Sequence, residues 1–205
     1  MRPTILTYGV AAAVTDKYAE SQTPAAGGAQ ALTLTATLTN TYQQHVSVSC
    51  AGSDAARSFA FVGTDWQGNA LTETLAGSDE DITIGAKNFK SVTSITVDDD
   101  TAGAVTAGMA AAGESQWVPT NWRGDNLAIT FEVVSGTPSY DLQVTNDDVQ
   151  STTYAVESGA QAYSLFSQAK TTDYAGSLMQ PFLATRLALT AVGVVKMTIT
   201  QVQVG

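Results

Sequence analysis

The sequence has one cysteine and one histidine among 205 residues. A single cysteine, Cys50, excludes an intramolecular disulfide and a cysteine-rich metal site. His45 lies five residues before Cys50, so in a strand the two side chains point to opposite faces and cannot form a thiol–imidazole pair. There is no second histidine to complete a zinc site and no Gly-x-Ser-x-Gly motif. We therefore expect a protein that is not an enzyme and that holds no cofactor.

Basic residues are also scarce. The chain has 9 Lys and Arg against 19 Asp and Glu, a formal net charge of −10, and only 14% charged residues, whereas about a quarter is usual. So few basic residues cannot form the positive surface that phosphate groups require. Nucleic acid is therefore not an expected partner, and the polar surface must consist largely of neutral Thr, Ser, Gln and Asn.

Long apolar runs are missing as well. No segment approaches the roughly 18 apolar residues of a membrane helix, so we expect no membrane partner. The opening MRPTILTYGVAAAV has an arginine and small residues like a signal peptide, but Thr7, Tyr8 and Gly9 interrupt its apolar run. We expect no signal peptide.

The dominant pattern is alternation of apolar and polar residues, which is the period of a β-strand. It runs through residues 31–38 (ALTLTATL), 46–50 (VSVSC), 129–134 (ITFEVV) and 140–144 (YDLQV). Residues 186–190 and 195–199 flank a loop with Gly193 and predict a hairpin. Residues 8–20 and 157–170 have weakly helical composition without a clean apolar stripe, so little helix is expected.

The strand pattern stops near residues 108–118, where small residues accumulate. The runs on either side are numerous enough for one sandwich or barrel each. We expect an all-β protein with two small β-sandwich or β-barrel domains and little helix. Its predicted parts are an N-terminal arm at residues 1–28, a first β-domain at 29–112 and a second at 113–205. The arm is expected to dock on a partner.

Residues 63–77, GTDWQGNALTETLAG, predict a second hairpin. Phe59 and Phe61 lead into it, the turn falls at residues 67–69, and Trp66 stands at the tip. We expect Phe59, Phe61 and Trp66, together with Tyr8 and Tyr18 of the arm, to contact a partner.

Two tryptophans lie near the domain junction. Trp117 and Trp122 flank Pro119, and rings in such a place are expected to pack as interdomain core.

Three acidic clusters are candidates for calcium sites. Residues 78–81, 98–100 and 146–148 offer carboxylates, but none has the D-x-D-x-D-G spacing. Solvated charges in turns are the simpler interpretation of these clusters, so no metal site is predicted.

The hairpin sequence, followed by KNFKSVTSITVDDDTAGAVTAG at 87–108, resembles a pattern in virion proteins of tailed bacteriophages. Those proteins carry a G-T-D-x-x-G-N-A-x-T-E-T hairpin, then F-K-x-V-T-S-I-T and a closing T-A-G-x-V-x-x-G. The segment YAESQTPAAGGAQALTLTATL at 18–38 is similar to their start. The segments PSYDLQVTNDD at 138–148, FLATRLALT at 182–190 and VVKMTITQVQVG at 194–205 are similar to their second β-domain.

This resemblance implies a non-enzymatic structural protein of the virion, made in the bacterial host cytoplasm. A capsid decoration or cement subunit is the leading hypothesis, and a head–tail neck or tail component is the alternative. The implied partners are the major capsid protein or neck and tail proteins, and further copies in a homo-oligomer. A carbohydrate-binding adhesion module with Trp66 in its site is the alternative from another class. An enzyme that uses His45 is the weakest of these hypotheses.

Overall fold

The computed structural model describes residues 3–36, 38–120, 127–149, 160–166, 168–178 and 182–201. Within these residues the chain forms sixteen β-strands and no helix, so the expected all-β class is confirmed. Residues 8–20, with their weakly helical composition, lie mainly in strands. The strands are β1 (Thr4–Val10), β2 (Val14–Gln22), β3 (Gln30–Ala31), β4 (Thr39–Cys50), β5 (Ser58–Thr64), β6 (Ala70–Ala76), β7 (Ile82–Val97), β8 (Val105–Met109), β9 (Gly113–Glu114), β10 (Val118–Pro119), β11 (Leu127–Gly136), β12 (Tyr140–Thr145), β13 (Tyr163–Ser164), β14 (Tyr174–Leu178), β15 (Ala184–Leu189) and β16 (Gly193–Gln201).

The strands form two compact units. Unit 1 comprises Met1–Ala11 and Glu114–Gly205, and unit 2 comprises Ala12–Gly113. Unit 2 is therefore inserted into unit 1 directly after β1. The expected boundary at 112/113 lies one residue from the observed one, but the expectation of a separate arm at 1–28 is corrected. Its two strands are part of the folded units, since β1 pairs with β16 and β2 pairs with β8. Leu6, Tyr8, Val10 and Tyr18 are buried there.

Unit 1 contains two antiparallel sheets. One has the order β1-β16-β11-β14, and the other has the order β10-β15-β12-β13 with β9 also on β15. The expected hairpin of residues 186–190 and 195–199 is wrong, because β15 and β16 belong to different sheets. The sequence pattern did not distinguish these arrangements, since strands in two facing sheets show the same alternation of buried and exposed residues.

Unit 2 is built around one unusually long strand. Its seven-stranded sheet has the order β2-β8-β4-β7-β5-β6, with β3 also on β7. The first part of β7 pairs with β4 up to Ser91, and the second part pairs with β5 from Ser91 onward. Register shifts interrupt both ladders, and such bulges bend a strand. One strand thereby joins the two halves of the unit.

Of the described residues in the alternating run, 31–36 and 38, only Ala31 lies in a strand, which corrects the expectation for this segment. The hydrogen bonds of its main chain are divided between neighbours. Leu32 N donates to Ile95 O of β7, at 2.9 Å, while Thr35 N donates to Tyr18 O of β2, at 2.8 Å. A segment that crosses from one strand to another satisfies its polar groups without a continuous ladder.

A glutamate side chain connects β6 to the first part of β7. Glu73 Oε1 accepts a hydrogen bond from Ala86 N at 2.7 Å, and Oε2 accepts one from Lys87 N at 3.3 Å. Lys87 Nζ donates in return to Thr72 O at 2.7 Å. Gly85 leaves room for the carboxylate, because a Cβ there would lie 2.4 Å from Glu73 Oε2. The carboxylate thus occupies main-chain donors that would otherwise be free to pair with another strand.

The core of unit 2 contains a polar pair. The Tyr18 hydroxyl donates to Asn40 Oδ1 at 2.9 Å, and Asn40 Nδ2 donates to Phe89 O at 2.9 Å. Both side chains are buried. Burial raises the pKa of Tyr18 to about 12, against a smaller opposing effect of the hydrogen bond to Asn40.

Replacing Glu73 with Ala will expose the amides of Ala86 and Lys87. Each lost hydrogen bond contributes about 1 kcal/mol, so we expect each of these two amides to exchange about fivefold faster in native-state hydrogen exchange measured by NMR. Glu73→Gln keeps one acceptor oxygen and should have a smaller effect. Glu132→Ala, which removes the exposed partner of Lys196, is the control and should leave both amides unchanged. Equal exchange in wild type and Glu73→Ala would contradict the role of the carboxylate.

Alkaline pH will destabilise unit 2 through Tyr18. The pKa of about 12 in the folded state exceeds that of an unfolded tyrosine, about 10. The unfolded state therefore loses its proton first, and stability present below pH ~10 falls by about 1.4 kcal/mol per pH unit up to pH ~12. Urea unfolding across this range measures the slope. Tyr18→Phe should be less stable at neutral pH, because Asn40 loses a partner, and should show a shallower decline.

Candidate interaction surface

The predicted hairpin at residues 63–77 is confirmed as β5 and β6, which pair from Ser58↔Ala76 to Thr64↔Ala70. Asp65 organises its turn. Its Oδ1 accepts hydrogen bonds from Gln67 N at 2.8 Å and Asn69 N at 2.9 Å, and Asn69 Nδ2 donates to Oδ2 at 3.0 Å. Gly68 has a φ of 87°, a conformation that glycine adopts without strain. The tip is therefore fixed by its own side chains.

Trp66 is held at this fixed tip and is 39% exposed. It is the one expected contact residue that the structure leaves accessible. Its neighbour Asp65 is buried, so the turn presents the ring while its own polar groups are satisfied internally. A turn whose main chain is already ordered loses little conformational entropy when its aromatic residue binds a partner.

The other four expected contact residues are buried, which corrects that prediction. Phe59, Phe61 and Tyr18 have no exposed surface, and Tyr8 is only 3% exposed. Phe59 and Phe61 point into the core of unit 2, where Phe61 and Phe89 lie 6.4 Å apart between ring centroids. Tyr8 is buried in unit 1 on β1. The alternation that predicted the strands also explains this burial. In an alternating strand the large apolar residues share one face, and that face usually packs against the core.

The outer face of β5, β6 and the second part of β7 carries no charged side chain. Paired residues lie on the same face of a sheet, and the register places Val62 between Thr72 and Ser94, and Ala60 between Thr74 and Thr96. We call this surface the neutral face. Its residues are Ala60, Val62, Ala70, Thr72, Thr74, Ala76, Ser94 and Thr96.

The neutral face is narrow. Three strands at about 4.8 Å spacing and seven residues at about 3.3 Å give roughly 10 by 23 Å. A typical stable interface buries about 800 Å² on each partner. One neutral face with Trp66 therefore makes a weak contact alone, and tight attachment requires many such contacts at once.

The acidic residues of unit 2 lie mainly in loops outside the three strands of this face, and Asp98 adjoins the end of the face beside Ser58. Asp98, Asp99 and Asp100 accept hydrogen bonds from the main-chain N–H groups of Ser58, Gly28 and Gly27 respectively. The hydrogen bonds from Asp100 N and Gly28 N hold the pKa of Asp99 below its usual value, with a smaller contribution from Arg57. These carboxylates fasten loops together.

The other acidic clusters behave similarly. Asp79 Oδ1 accepts a hydrogen bond from Ala55 N at 3.4 Å, and Asp147 Oδ2 accepts one from Gln161 N at 2.7 Å. Among the described residues, no three Asp, Glu, His or Cys side chains come together as ligands for a metal ion. Cys50 is a buried thiol, and His45 is half-buried.

Unit 1 has an aromatic cluster that the sequence patterns did not indicate. Phe166 and Tyr174 meet edge to face with ring centroids 5.1 Å apart, and Lys170 Nζ lies 5.4 and 5.2 Å from those centroids. Phe131 and Tyr140 pack beneath them. The lysine of the same chain already occupies the faces of these rings, so the cluster stabilises its own loop.

The two junction tryptophans have different outcomes. Trp117 is buried and lies under Arg186, with the guanidinium carbon 4.5 Å from the ring centroid. Both residues belong to unit 1. Trp122 lies outside the described residues.

Comparison of the chain with protein-family models, curated proteins and solved structures found no match. In the part of the chain that the structure describes, no helix is long and apolar enough to span a membrane.

Replacing Asp65 with Ala will loosen the hairpin tip. The change removes the acceptor of three hydrogen bonds, and at about 1 kcal/mol each we expect unit 2 to lose about 2–3 kcal/mol of unfolding free energy. Urea unfolding measures this loss. Asp65→Asn retains Oδ1 and should lose clearly less. Equal losses for the two variants would show that the turn does not depend on the main-chain hydrogen bonds to Oδ1.

Proposed function

We propose that the chain is a non-enzymatic structural protein of a tailed-phage particle and that it attaches to the capsid as a decoration or cement subunit. The neutral face and Trp66 form its docking surface. The sequence resemblance to virion proteins supports the class of protein. A charge-free sheet face and an exposed tryptophan in a hydrogen-bonded turn, on a chain of net charge −10, support the docking surface.

The chemistry of the neutral face suits close approach between two proteins. Its side chains are Ala, Val, Ser and Thr, so no charge has to leave water when a partner covers it. Small side chains also lose little rotamer entropy when they are fixed. A strongly acidic chain would otherwise repel an acidic partner or another copy of itself.

A particle also provides the multiplicity that a small face requires. A decoration subunit binds at many symmetry-related positions. If several weak contacts form within one assembly, each later contact is effectively intramolecular, and the whole is far tighter than any one of them. The function proposed for the chain is to stabilise the shell by adding such contacts.

Glycan adhesion is the second candidate, because an exposed tryptophan at a fixed tip is also suited to stacking on a sugar ring. The two functions differ in what the neutral face does. A sugar site needs Trp66 and nearby polar groups, whereas docking on a shell needs the face of the sheet as well.

Co-sedimentation with phage capsids that lack the chain tests the proposal. Wild type is expected to sediment with the capsids, and Thr72→Glu/Thr74→Glu should bind at least about tenfold more weakly, because two charges must be desolvated. The matched control is Thr130→Glu/Thr200→Glu, which alters two exposed threonines of unit 1 and should bind like wild type. Trp66→Ala should also weaken binding.

Two results would overturn the proposal. Wild type that stays in the supernatant excludes capsid decoration. Equal weakening by both double variants excludes the neutral face as the docking surface. A glycan array probed with wild type and Trp66→Ala separates the second candidate, since only adhesion predicts a signal that depends on Trp66.

A further inference from the structure

Strand β1 is joined to its own unit in an unusual way. Among the strands that the structure describes, it pairs with β16 alone, through the register Thr4↔Ile199 to Val10↔Gly193. It lies at the edge of its sheet, so its removal breaks no other ladder. Its covalent connection leads through residues 11–13 into unit 2. The remainder of unit 1 begins only at Glu114.

Removal of β1 would expose apolar side chains and unpaired main-chain groups of unit 1. Leu6, Tyr8 and Val10 are buried in unit 1, at 7%, 3% and 2% exposure. If β1 leaves, the apolar side chains that it covers are exposed to water, and the edge of β16 offers free main-chain donors and acceptors. The side chains of β1 match this site in register and size, and the same strand is present in every copy of the chain.

We propose that β1 is an exchangeable strand, and that two copies of this chain form a reciprocal dimer in which each copy's β1 pairs with β16 of the other. All seven β1–β16 register pairs and the burial of Leu6, Tyr8 and Val10 are preserved in the exchanged form. The two forms therefore differ mainly in the conformation of residues 11–13 and in protein concentration. Short connections favour exchange of this kind.

The proposed partner is a second copy, because only another β1 reproduces the complete set of contacts. Reciprocal exchange satisfies both acceptor sites and closes the assembly, as expected for a two-fold interface. Strand addition by an unrelated peptide would form main-chain hydrogen bonds but would not supply the alternating Leu, Tyr and Val side chains in register. The inference does not rest on the proposed docking surface, which lies in unit 2.

Single-cysteine variants distinguish the two forms. Ile5 lies opposite Thr198 in the register, and Ile5 is 60% exposed, so Ile5→Cys disturbs no core contact. Opposite residues of antiparallel strands have Cα atoms about 4.5–5.5 Å apart, within the range of a disulfide. In a Cys50→Ala background, Ile5→Cys and Thr198→Cys chains are mixed, unfolded together, refolded at several protein concentrations and oxidised.

Strand exchange predicts a covalent heterodimer on a non-reducing gel, in a proportion that rises with the protein concentration during refolding. The control is a mixture of Ala60→Cys and Thr74→Cys chains. These two residues lie opposite each other in the β5–β6 hairpin, which is not exchanged, so this mixture should give no heterodimer. The double variant Ile5→Cys/Thr198→Cys establishes that the pair can oxidise when both cysteines are in one chain.

Two outcomes would overturn the proposal. The first is an Ile5→Cys and Thr198→Cys mixture that stays monomeric at every concentration while the double variant oxidises within single chains. The second is a double variant that does not oxidise in either form, because β1 then does not lie beside β16. Failure of exchange leaves capsid binding by the neutral face unaffected, so the two proposals are tested separately.

Discussion

The pairing of β1 with β16 is the contact on which the architecture of unit 1 depends. It joins two segments that are separated by almost the whole sequence, and it closes a sheet whose remaining strands all follow unit 2. Without it, β16 would lose the strand that pairs with its edge, and the buried side chains of Leu6, Tyr8 and Val10 would leave the core of unit 1. Unit 2 is inserted immediately after β1. The sheet that begins with β1 is therefore completed only by β11, β14 and β16, which follow unit 2 in the sequence.

Unit 2 differs from unit 1 because its strands form a single sheet, which encloses the core of the unit. The long strand β7 serves two sets of partners, and bulges at its register shifts allow the change. Where β6 and β7 meet without a ladder, the Glu73 carboxylate accepts the hydrogen bonds that a strand would have accepted. A charged side chain at this edge also opposes edge-to-edge pairing with strands of other proteins. The neutral face of the same strands can therefore lack charge without promoting such pairing.

The sequence was sufficient for properties that depend on local pattern. Alternation predicted the all-β class and the strands at 129–134 and 140–144, and the Gly-Asn turn predicted the hairpin that carries Trp66. Pairing partners could not be predicted in the same way. Residues 186–190 and 195–199 have the pattern of a hairpin. Their alternation is the same whether the two strands pair with each other or belong to different sheets.

The same limit explains the errors at the candidate surface. Phe59, Phe61, Tyr8 and Tyr18 are large and suited to interfaces, but their burial depends on which strands cover them. The neutral face follows from the register of three strands, two of them adjacent in sequence and one about 20 residues later. Its threonines are visible in the sequence, while their arrangement on one uncharged surface is not.

The insertion of unit 2 has a consequence for the order of events during translation. Synthesis proceeds from the N-terminal side at a few residues per second or faster, and domains fold as units when they are complete. Unit 2 ends at Gly113, whereas β16 begins at Gly193. Unit 2 can therefore fold before β16 has been synthesised, and during that interval β1 is attached to a folded unit without its partner strand.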